Sequence, residues 1–299
     1  MPKKSFILPL VAMLSLAGCG LAAPLSGAAE GRAVAKAEQP LDPRFFARRE
    51  VMALRPEAFA LMPASFPALQ AMKGESEPKR QALVRAVRSD AALHQGVQAF
   101  DRLSWEQQLP LLRRFFELEC KVLGIVPPEL RIATDVVKGP AFFDFDPEKP
   151  GSGRVILNPE AIAKEPNKYT ALLLLAHETR HSAQFQLAFD PARAAEPLPR
   201  AYQAAFRAQK QLGDKLNFCD FCTLHNEFEA FQFGNYVVGA LTDWRVDTGD
   251  MGTLASQYDA HGHLKLDLLA LERQVGRDGL LDAFNAREKV QYQDLYDKR

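Results

Sequence analysis

Along most of the chain apolar residues recur at helical spacing. From Arg44 to about Phe100, Leu83, Val84, Val87, Leu93 and Val97 keep that period, and Pro56, Pro63 and Pro67 break the region into short helices. A clearer helix follows: Ser104 and Gln107 form a capping box, Leu109, Leu112, Phe116 and Val122 supply the stripe, and Gly124 with Pro127-Pro128 ends it. Between Leu130 and Pro159 the pattern changes to the short runs LRIATDV, AFFDFDP and GRVILNP, separated by turn signals, which predict three strands of a small, mainly antiparallel sheet. Asn167 then caps a helix through Leu172 to Gln184, Tyr202 to Leu212 forms another that Gly213 closes, and Thr253 to Asp297 reads as two or three more. The class this predicts is α+β, mostly helical, with the sheet preceding the Leu172 helix.

Composition narrows the picture only a little. The chain has 299 residues, 47% of them hydrophobic, and its 37 basic side chains balance 37 acidic ones, so no bulk field argues for a nucleic-acid partner. The N-terminus is more informative: Lys3 and Lys4 precede an apolar run from Phe6 to Ala17, too short to span a bilayer comfortably, as in a secretory signal. The run ends in Leu16-Ala17-Gly18-Cys19, which resembles the lipobox of bacterial lipoproteins. That resemblance implies lipid on Cys19, a membrane anchor and a place at the bacterial cell envelope; Gly20, rather than aspartate, after Cys19 implies the outer membrane. Residues 1–19 are then the signal, 20–43 a flexible Ala/Gly/Pro-rich tether, 44–125 a helical region, and 126–299 the part that carries the chemistry, continuous with 44–125 or separate from it.

The chemistry lies in His177-Glu178-Thr179-Arg180-His181. Residues four apart share a helix face, so both imidazoles reach one ion, while Glu178 points to a neighbouring face where it can touch a metal-bound water without ligating. This is the H-E-x-x-H arrangement of a zinc site with Glu178 as general base. A catalytic zinc takes a further protein ligand and leaves a position for water. Metzincins place a histidine six residues after the second ligand, where this chain has Leu187.

Asn226-Glu227-Phe228-Glu229-Ala230 instead resembles the third-ligand helix of Glu-type zincins. Glu227 falls on the apolar arc and Glu229 beside His225, Gln232 and Tyr236 on the more polar side. A carboxylate on the apolar arc is costly to bury unless it coordinates, so Glu227 is preferred as the third ligand. The resemblance implies a zincin-like fold, Zn2+ as cofactor and a peptide or protein substrate cleaved by metal-activated water. It also implies an edge strand over the site, for which Val155-Ile156-Leu157 is the candidate. An alternative is a zincin-like envelope module for binding or assembly with little peptidase activity. In one respect the chain departs from the family: Phe231 stands where many Glu-type zincins have an aspartate that supports a ligating histidine. That support must come from Glu229, Gln184 or a backbone carbonyl.

Cys219 and Cys222 are read as a local disulfide, since exported thiols oxidise readily. A redox pair, or a structural metal cluster with His225 and Cys120, are the other uses of that spacing. Tyr258, His261 and His263 are of the right kind to stabilise an oxyanion, with a surface role as the plainer alternative.

Overall fold

A computed structural model describes residues 46–135, 139–249 and 256–297. The signal, Cys19 and the tether over 20–43 lie outside the described residues.

The helices are α1 (Arg49–Met52), α2 (Phe66–Ser89), α3 (Ala91–Gln98), α4 (Trp105–Leu123), α5 (Pro159–Ile162), α6 (Thr170–Ala188), α7 (Pro197–Leu212), α8 (Phe218–Cys222), α9 (His225–Leu241) and α10 (Leu268–Asp297), the last made of two helical segments that meet at Gly276. Local sequence sets their ends. The Ser104 N–H donates to the Gln107 side chain (2.9 Å) to open α4, and Gly124 (φ 68) closes it in the left-handed conformation that glycine adopts without strain. Asn167 does not cap α6 directly. Its side-chain oxygen accepts from the Tyr169 N–H (2.9 Å), forming a turn one step before the helix begins at Thr170.

α6 is buried almost from end to end, and a helix that is apolar all round belongs in the middle of a fold. Here α4, α7 and α9 pack around it, with β2 (Ala141–Asp144) and β3 (Arg154–Leu157) on the remaining side. One apolar core runs from Ala47 to Phe284, so the N-terminal helices share it with the region after residue 126. None of the described helices is long and apolar enough to cross a membrane.

The sheet is mixed rather than mainly antiparallel. Its order is β1-β3-β2: β3 pairs in parallel with β1 (Glu129–Ile132) and antiparallel with β2. Val155-Ile156-Leu157 is therefore the central strand, not the edge expected from the sequence. All three residues are buried, as consecutive apolar positions in a strand covered on both faces should be. The edge beside α6 is β2, with Phe142 opposite Ile156 and Phe143 opposite Val155.

Candidate metal centre

His177 and His181 lie one turn apart on α6, with their Nε2 atoms 2.9 Å from each other and both rings buried. Glu227 enters from the first turn of α9 and sets Oε2 3.3 Å from His177 Nε2 and 3.2 Å from His181 Nε2. α9 comes this close because Gly234 has no side chain: a Cβ there would lie 3.1 Å from the Leu173 carbonyl oxygen on α6.

A tetrahedral zinc with bonds of about 2.0–2.1 Å separates its donors by about 3.3 Å. The observed triangle of 2.9, 3.2 and 3.3 Å is close to one face of such a tetrahedron. Glu227 Oε1 accepts from the Gln209 side-chain amide on α7, whereas among the described residues no donor besides the two imidazoles reaches the buried Oε2. An otherwise orphaned carboxylate oxygen facing two ring nitrogens suits a cation, and the N,N,O donor set suits zinc.

The charges agree with this. Burial alone would raise the Glu227 carboxyl, but the adjacent His181 and His177 hold it down at about 2. Burial opposes a charge on His181 too, yet Glu227 lifts it to about 9, while His177 is lowered by burial and by His181. Glu178 completes a buried group with the two histidines whose ligand atoms all lie within 4.8 Å, and this group is able to hold a metal ion. Two carboxylates thus flank the histidine pair. Glu178 is the one turned to the sheet, where the Phe143 backbone N–H of β2 donates to it; burial pushes its carboxyl up to about 8.

Glu229 is engaged elsewhere. Arg180 Nε lies 3.0 and 2.8 Å from its two oxygens, and Ser76 donates to it as well. The imidazoles differ in their outer contacts. His181 Nδ1 is 2.7 Å from Gln184 Oε1, while His177 Nδ1 has no partner among the described residues and its ring packs 4.2 Å from that of Phe231.

A cavity of about 60 Å³ opens onto His177, Glu178, His181 and Glu227, walled by Phe143, Phe145, Phe206 and Leu216, with Gln209 and Lys210 as further polar members. Lys210 Nζ sits 4.3 Å above the Phe145 ring. Gln209 had no signal in the sequence, since it is one of several polar residues on an amphipathic helix. Arg180 had one: a charge inside a run of buried residues needs a partner.

The oxyanion candidates do not join the site. Tyr258 is buried against Tyr236 and Trp244 and accepts from Arg80 Nη1 (2.7 Å), and His261 and His263 are exposed around the Asp259 turn. The expected disulfide is not formed: Cys219 and Cys222 are separate buried thiols on α8. Burial raises both well above the ordinary thiol value, which withholds the thiolate that oxidation requires. Nor do they gather ligands with His225 and Cys120, because among the described residues the one such group is His177, Glu178 and His181.

Compared with known proteins, the chain matches no family model, no curated protein and no solved structure.

Proposed function

We propose that this protein is a zinc-dependent peptidase of zincin type, acting at the bacterial cell envelope and held there by lipid on Cys19. The observation that carries the proposal is the triangle of His177, His181 and Glu227 with Glu178 beside it under the β2 edge. His177, His181 and Glu227 would hold the ion. When bound, zinc would bring a coordinated water close to neutral pKa and polarise the substrate carbonyl. Glu178 accepts the proton of the attacking water and returns it to the departing amine nitrogen. Gln209 keeps Glu227 turned toward the imidazoles through Oε1. The aromatic wall of the cavity excludes water and receives apolar substrate groups.

The test is metal content and peptide cleavage by wild type and Glu178→Gln. The variant is expected to keep one zinc per chain and lose cleavage about 10²–10⁴-fold; unchanged hydrolysis would sink the mechanism. Attachment is tested by labelled palmitate, whose incorporation should vanish in Cys19→Ser. A second reading, an envelope binding or assembly module, is favoured by the small volume of the cavity, about 60 Å³. Stoichiometric zinc without cleavage of broad peptide libraries at any pH would select it.

A further inference from the structure

We infer that Gln184 is a positioning residue of this centre, one that fixes which nitrogen of His181 is offered to the metal. Gln184 lies on α6 one turn after His181 and is fully buried. Its amide has two ends, and the surroundings decide which faces which way. One end meets the Glu229 carboxylate (2.5 Å) and the Asn226 backbone carbonyl (2.9 Å). Both of these only accept hydrogen bonds, so that end must be the NH₂. Oε1 is therefore the end that lies 2.7 Å from His181 Nδ1. A carbonyl oxygen only accepts, so Nδ1 must carry a hydrogen and donate it. The lone pair of the neutral ring is then confined to Nε2, the atom that faces His177 and Glu227.

Glu229 anchors the amide without touching the imidazole. Its charge is met by Arg180 and by the Ser76 hydroxyl, so the chain Arg180, Glu229, Gln184, His181 runs from a buried ion pair to the ligand. Ligating histidines usually depend on such an outer acceptor. His177 has none among the described residues and is braced by the Phe231 ring instead. The orientation of the pair thus rests on one neutral amide at the second histidine. This rests on the reading of His177, His181 and Glu227 as ligands, and the experiment separates the two.

Zinc affinity is measured by chelator competition in wild type, Gln184→Leu and His181→Ala, with the fold checked by circular dichroism. Gln184→Leu is expected to fold and to bind zinc about 10–100-fold more weakly. Unchanged affinity in that variant, with binding lost in His181→Ala, overturns the role of Gln184 and leaves the centre standing. Stoichiometric zinc in His181→Ala overturns the centre itself. Long-range ¹H–¹⁵N spectra of zinc-loaded wild type require no variant. They should show a slowly exchanging Nδ1 proton on His181 and a faster one on His177, and equal exchange at the two rings overturns the proposal.

Discussion

Arg180 and Glu229 face each other across α6 and α9 with their side chains each 1% exposed and Nε 2.8 Å from Oε2. Removing one member of a buried pair strands the other charge, which typically costs about 3–5 kcal/mol. Glu229→Ala should lose stability of that order in urea denaturation of the metal-free protein. A loss below about 1 kcal/mol, the scale of an exposed pair, would show that the pair does not hold these helices together.

Glu227 should behave differently. Its Oε2 is within 3.3 Å of both Nε2 atoms, so Glu227→Gln is expected to abolish stoichiometric zinc binding in metal analysis while the circular dichroism of the metal-free protein stays native. A variant that keeps its zinc would exclude Glu227 as third ligand and turn attention to Glu178, the other carboxylate in reach.

In the sequence an apolar arc and a polar side of α9 separate Glu227 from Glu229, but α9 is buried on nearly every face, and Glu227 and Glu229 are 3% and 1% exposed. What distinguishes them is Arg180, a long-range partner that no periodicity along one helix can reveal. The α6 helix and the alignment of its histidines were legible because both depend on local spacing. Strand order was not, since whether β1 meets β2 or β3 is decided by how the chain packs on α6. The consecutive apolar run Val155-Ile156-Leu157 is itself the signal of a central strand, buried on both faces, rather than of an edge. For the cysteines, the expectation of export argues for oxidation, whereas burial on α8 raises both thiols.

Gly234 offers a test of how closely α9 must approach α6. A Cβ at this position would meet the Leu173 carbonyl oxygen at 3.1 Å and His177 Cβ at 3.7 Å. Gly234→Val should force the helices apart, costing about 1–3 kcal/mol, and should weaken zinc binding by moving Glu227 away from the histidines. Both effects are read on one sample, by thermal unfolding and chelator competition. Full zinc affinity in a folded Gly234→Val protein would mean that Glu227 does not depend on this contact.

His225 gives a pH dependence whose sign is fixed. Both its ring nitrogens are buried without a partner among the described residues, and burial lowers it from 6.5 to about 3. Between those values the unfolded chain holds a proton that the folded one does not, so stability falls as pH drops from 6.5 toward 3. Above 6.5 the contribution is complete. Glu178 works the opposite way. Burial raises its carboxyl from 4.5 to about 8, so the folded chain holds the extra proton and stability falls as pH rises through that window. Each limb can be isolated as a difference from wild type in metal-free protein. His225→Phe, close in volume, should reduce the acid-side loss, which His177 and Glu227 share, and leave the alkaline side unchanged; Glu178→Gln should reduce the alkaline-side loss, which His181 shares. The measurement is urea denaturation from pH 3 to pH 9 on both variants. An acid limb of undiminished size in His225→Phe would show that the imidazole takes up its proton without unfolding. Zinc should also suppress the alkaline limb in wild type, because the ion favours deprotonated ligands and an ionised carboxylate beside them.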